Sequence, residues 1–172
     1  MIILLTGGSG CGKSAYAERL IASMPKENRV YIATMRVGDE ECVRRVERHR
    51  ERRAGLDFTT LERLVDLGSA PVAPGSVVLL EDLPNLLANE MFGGGDPGRI
   101  EAGLQALAER CAHLIIVTND VFSDGLSYDP STKAYMKRLA ELNRFAVRLA
   151  DYAAEVVYSI PVAIKGEAPC AC

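Results

Sequence analysis

Short apolar, β-branched runs alternate along the chain with longer stretches whose apolar residues return every three or four positions. Ile2 to Thr6, Val30 to Thr34, Val77 to Glu81, Leu114 to Thr118 and Val156 to Ile160 have the length and composition of strands. Between them, Lys13 to Met24, Glu40 to about Arg53, Pro84 to Met91, Arg99 to Cys111 and Ser131 to about Tyr152 carry helical periodicity. Each helical stretch is long enough to return the chain between parallel strands. The repetition predicts an α/β fold with a mostly parallel central sheet and helices on both faces. Val72 to Gly75 and Gly93 to Pro97 read as turns, and no repeat or low-complexity linker divides the chain. The expectation is one domain over 1–172, with 166–172 as a flexible tail.

Composition narrows the function classes. The 172 residues, 48% of them hydrophobic, suffice for one good core and are few for two. Twenty basic against 23 acidic residues leave a net charge of −3, which gives no general attraction to nucleic acid or an anionic membrane. No apolar stretch approaches the roughly 18 residues of a membrane span, and Met1 to Leu5 lacks the charged flank and cleavage site of a signal peptide. A cytoplasmic location is expected. The five cysteines (Cys11, Cys42, Cys111, Cys170 and Cys172) are odd in number and lack paired metal-ligand spacing, which argues against a disulfide framework or a zinc site.

In sheets of this kind ligands gather beyond the carboxyl ends of the strands. The first such segment is Gly7, Gly8, Ser9, Gly10, Cys11, Gly12, Lys13 and Ser14, which fits GxxxxGK[ST] in full and lies between a strand and a helix. Glycines let the backbone present N–H groups to an anion, and the helix start adds partial positive charge. Lys13 reaches the outer phosphates and Ser14 is a ligand for Mg²⁺. The segment therefore predicts a purine nucleoside triphosphate site. Glu81 and Asp82, at the end of a buried strand, supply the acidic position: Glu81 on the metal side, Asp82 as cap or auxiliary to the helix near Pro84.

A second candidate lies on the arginine-rich stretch from Arg36 to Arg53. Cys42, Val46, His49 and Arg53 recur at steps of four, three and four, which puts His49 on the stripe facing the protein body. An imidazole there is either a satisfied structural group or a nucleophile toward phosphorus, with nearby arginines steadying the developing charge. His113 begins a strand without such neighbours and reads as structural. Interleaved carboxylates and the lack of an aromatic platform speak against nucleic-acid binding by this helix. A small-metabolite kinase with a structural His49 and a nucleotide-dependent switch both remain open on these residues alone.

Over nearly its whole length the chain resembles the bifunctional adenosylcobinamide kinase and adenosylcobinamide-phosphate guanylyltransferase family of cobalamin biosynthesis. The resemblance rests on Leu5 to Ser14 with Ala17 and Glu18, on Tyr31 to Thr34, and on Asp39, Glu40, Arg45, Val46, His49, Arg53 and Glu62. Val117 to Val121, Gly125, Asn143, Ala150 and Asp151 extend it. Cys11, Ala54 and Phe58 stand where the family usually has serine, proline and tryptophan. The resemblance implies that His49 takes GMP from GTP as a phosphoramidate. It also implies that Thr34, Met35, Arg36, Glu51, Arg52, Arg53, Ala54, Glu62 and Glu81 surround the nucleotide. ATP and GTP as substrates, Mg²⁺, a corrinoid acceptor and a homotrimer are implied with it.

Overall fold

The computed structural model describes residues 1–36, 47, 54–121 and 126–169. Among them the order is β1 (Ile2–Thr6), α1 (Lys13–Ala22), β2 (Arg29–Ala33), β3 (Thr59–Glu62), β4 (Val77–Glu81) and α2 (Leu83–Phe92). There follow α3 (Ile100–Arg110), β5 (His113–Val117), α4 (Pro130–Leu149), β6 (Tyr152–Val157) and β7 (Ile160–Lys165). The strands form one sheet in the order β3-β2-β4-β5-β1-β6-β7, parallel throughout except for the antiparallel β6–β7 pair.

Period-two alternation sends each central strand's residues to two cores. Ile3, Leu5, Leu79, Ile115 and Val117 meet Tyr16, Ala17, Leu20 and Ile21 of α1. Leu4, Val78, Leu80, Leu114 and Ile116 meet Leu83, Leu86 and Leu87 of α2, Leu104 and Leu107 of α3, and Leu139, Leu142 and Ala146 of α4. Both faces of the sheet are thus covered by helices, as the sequence predicts.

Most element ends fall within a residue or two of that prediction, and the larger differences are these. The sequence runs one strand from Val156 to Ile160, but Tyr158 and Ser159 adopt φ of 48° and 67° and turn the chain there into the β6–β7 hairpin. The last helix stops at Leu149, short of Tyr152, because Ala150 is extended and Tyr152 already pairs with Ile3 in the sheet. Thr59 to Glu62 forms an edge strand the pattern does not reveal. The helix expected from Glu40 to Arg53 lies outside the described residues, Glu47 excepted.

One buried charge organises the underside of this layer. Arg29 is 2% exposed. Its Nε donates to Pro25 O at 3.0 Å and its Nη1 to Leu56 O at 3.1 Å. Nη2 donates to Ile21 O at 2.7 Å and Met24 O at 2.6 Å. Three of these carbonyls lie at or just past the end of α1, at the negative end of that helix, and the fourth ties in the segment before β3.

Asp129 starts α4 in the complementary way. Its carboxylate accepts from the hydroxyls of Ser131 and Thr132, both at 2.6 Å, and from their backbone N–H groups at 2.8 and 3.1 Å. The Ser131 and then the Thr132 hydroxyl bonds hold its pKa far below the ordinary 3.8. A depressed folded pKa means that the cap's contribution is full above the ordinary value and is lost as pH falls from there through the folded one. The urea midpoints of wild type and Asp129→Ala should therefore differ near pH 7 and converge as pH is lowered below about 3. An unchanged gap would refute the capping account.

Candidate nucleotide site

The phosphate loop leaves β1 at Thr6 and re-enters regular structure at Lys13, the first residue of α1. Gly7, Gly10 and Gly12 take φ of 137°, 71° and 99°, a region costly for any residue with a Cβ. At two of them the space is also closed. A Cβ on Gly7 would stand 2.6 Å from Val156 O, and one on Gly12 2.5 Å from Ser159 Oγ. The backbone N–H of Ser159 donates to Cys11 O at 2.8 Å, so the turn of the β6–β7 hairpin braces the loop from outside.

Lys13 holds the loop from within. Its ammonium, on a residue 7% exposed, donates to Gly7 O at 2.8 Å and Gly8 O at 2.7 Å. These carbonyl partners orient the charge without neutralising it. Ser14 Oγ donates to Glu81 Oε1, which couples the start of α1 to the end of β4. A hydroxyl and a carboxylate oxygen in contact are hard donors of the kind Mg²⁺ prefers, so these two residues fit that ion. Asp82 caps α2 instead, accepting from Asn85 N at 2.8 Å.

Next along the carboxyl edge, Thr34 is fully buried. Its Oγ1 accepts from Asp82 N at 2.8 Å and donates to Asp82 O at 2.8 Å, while Thr34 O accepts from Asn89 Nδ2 at 2.7 Å. Met35 follows it half-buried, and the Arg36 guanidinium lies against Gly93 just beyond α2. Glu62 ends the edge strand β3, four strand positions from β1. At about 4.8 Å per strand that is roughly 19 Å. The structure thus brings Lys13, Ser14 and Glu81 together around the loop and sets Thr34, Met35, Arg36 and Glu62 on the other half of the same edge. Ala54 is exposed in a turn, while His49, Glu51, Arg52 and Arg53 lie outside the described residues.

Sequence reasoning misses two supports. Ser159 carries no motif, because its role comes from a turn that β-compatible residues conceal. Asn89 sits mid-helix, and only its buried contact with Thr34 O marks it. On the other flank, Asp120 N donates to Gly7 O at 3.3 Å, and Asn143 Oδ1 accepts from Thr118 Oγ1 at 2.7 Å, fixing the end of β5 beside the loop. His113 starts β5 at the opposite end of the sheet from the loop, and its pKa is lowered chiefly by burial.

Residues 3–164 match the family described as cobinamide kinase / cobinamide phosphate guanyltransferase. The chain belongs to this family. The bifunctional adenosylcobalamin biosynthesis protein CobU of Salmonella typhimurium is 30% identical over 96% of this chain and 100% of its own. The Escherichia coli protein of the same name is 36% identical over 70% of this chain and 76% of its own. The Pseudomonas aeruginosa protein CobP, with the same description, is 30% identical over 95% and 97%. Cobinamide kinase / guanyltransferase relatives of this kind are transferases of adenosylcobalamin biosynthesis, and this chain has the P-loop fold that goes with them. A solved Pyrococcus horikoshii OT3 protein shares the fold at TM-score 0.51 and 9% identity, over 96% of this chain and 86% of that one.

Proposed function

We propose that this chain phosphorylates the aminopropanol hydroxyl of adenosylcobinamide and then moves GMP from GTP onto adenosylcobinamide phosphate through a guanylyl group on His49. The observation that carries the reading is Lys13 held at the centre of the phosphate loop, beside the Ser14–Glu81 pair, in a chain of this family. In the kinase step the loop and Lys13 position the triphosphate and offset charge on the transferring phosphoryl group, which is most of what this chemistry needs. Ser14 and Glu81 would hold Mg²⁺, which when bound neutralises charge on the phosphate oxygens.

In the guanylyl step a neutral His49 nitrogen attacks the α-phosphorus of GTP. The N–P bond forms as the bond to pyrophosphate breaks; a phosphate oxygen of the corrinoid then attacks, and the N–P bond breaks in turn. Thr34, Met35, Arg36, Glu51, Arg52, Arg53, Ala54 and Glu62 are assigned to the surroundings of the nucleotide in this step. The working form is a cytoplasmic homotrimer of single-domain chains. Among the described residues no helix is long and apolar enough to cross a membrane.

GTP labelled at the α-phosphate is expected to leave an acid-labile, base-stable label on the wild-type chain and none on His49→Ala. Wild type without label overturns the guanylyl half. Phosphoryl transfer surviving without label assigns the chain to kinase chemistry alone.

A further inference from the structure

Beside the phosphate loop, beyond the end of β5, lies a cavity of about 400 Å³ lined by Asp120, Val121, Tyr128, Thr132, Tyr135 and Met136. It is tied to the phosphate loop through the backbone, since Asp120 N donates to Gly7 O at 3.3 Å. Its other wall reaches toward β4: Tyr135 Oη donates to Pro84 O at 3.2 Å, and its pKa is pushed up to about 12, by burial first and by the charge of Asp82 next. The cavity thus lies between the acidic ends of β4 and β5.

The lining selects the ligand class. Two phenol rings, a thioether and an isopropyl group supply apolar wall, one carboxylate supplies an acceptor, and among the described residues no cation lines the space. A phosphate or a second nucleotide would find no cation among these six residues to offset its charge, whereas an uncharged amphipathic group would bury its apolar edge against the rings. The Thr132 hydroxyl already donates to Asp129 Oδ2 at 2.6 Å, which leaves its lone pairs to accept from an incoming amide N–H.

We infer that this cavity holds the uncharged, hydroxyl-bearing arm of the phosphoryl acceptor, an amphipathic alcohol, with Asp120 accepting the hydroxyl proton. The inference rests on the kinase half of the function proposed above. The hydroxyl donates to the Asp120 carboxylate. As the acceptor oxygen bonds to the γ-phosphorus, the bond from that phosphorus to the β,γ-bridging oxygen breaks, the nucleoside diphosphate leaves, and the proton passes to Asp120. Val121, Met136 and the two rings keep the arm oriented and partly dry.

Two variants of the full chain test this, with adenosylcobinamide as the varied substrate. Met136→Trp fills the cavity and is expected to raise the acceptor KM tenfold or more while the nucleotide KM stays within about twofold. Asp120→Asn keeps the shape and removes the proton acceptor, so kcat should fall by roughly a hundredfold at nearly unchanged acceptor KM, in the range of lost general-base catalysis. Covalent labelling by GTP should persist in both, which also reports that they fold. If Met136→Trp leaves the acceptor KM unchanged, or raises both KM values equally, the cavity assignment fails; full turnover by Asp120→Asn removes its proton-accepting role. A wild-type chain that phosphorylates no corrinoid would instead defeat the underlying kinase reading.

Discussion

Lys13→Ala should lower phosphoryl transfer roughly 10²–10³-fold, a loss of about 3–4 kcal/mol, because a preorganised charge aimed at the transferring group disappears. The geometry makes the effect specific. The ammonium is anchored by two carbonyls of the loop it serves, so its position is fixed before nucleotide arrives. Arginine should not rescue it, since a planar fork cannot take the place of a compact ammonium between Gly7 O and Gly8 O. Steady-state kinetics beside a thermal melt separates the two ways of failing: turnover should collapse while the melting temperature moves little. Turnover equal to wild type would remove Lys13 from the chemistry.

Arg29→Ala should do the reverse, costing stability rather than catalysis. Four carbonyls lose a charged donor and a void is left at a position 2% exposed. Each buried carbonyl left without a donor costs about 1–3 kcal/mol, less what water or neighbouring donors restore, so a net loss of roughly 3–5 kcal/mol is expected. At about 2–4 °C per kcal/mol for a chain of this size, the melting temperature should fall by roughly 6–20 °C. Urea denaturation checks it independently, and an unshifted midpoint would show that the carbonyls find other donors at no cost.

The parts of the fold that the sequence discloses are those in which one residue type does one job. β1, β4 and β5 are legible because burial on both faces demands uninterrupted apolar runs. The phosphate loop is legible because its φ values demand glycine. β3 is hidden because an edge strand of mostly exposed residues, Thr59 to Glu62, needs no apolar pattern. The β6–β7 turn is hidden for the opposite reason: Tyr158 and Ser159 look like strand residues, yet the positive φ they adopt is set by the pairing of the strands beside them. The site divides the same way. Ser14 meeting Glu81 follows from a motif and a strand end, whereas the cavity beside Tyr135 and Met136 is assembled from β5 and α4 and has no local signature.

The bracing of the loop by Ser159 bears on the order in which the protein acquires its shape. β1 is made before the other described strands, yet its neighbours in the sheet are β5 and β6, more than a hundred residues later in the chain. Contacts of such sequence separation carry a large closure entropy and slow the folding of the segments that depend on them. A nascent chain would therefore display every residue of the phosphate motif long before the motif has its form. Capacity to grip a triphosphate should arrive late and abruptly, once the closing hairpin has emerged and settled against Cys11.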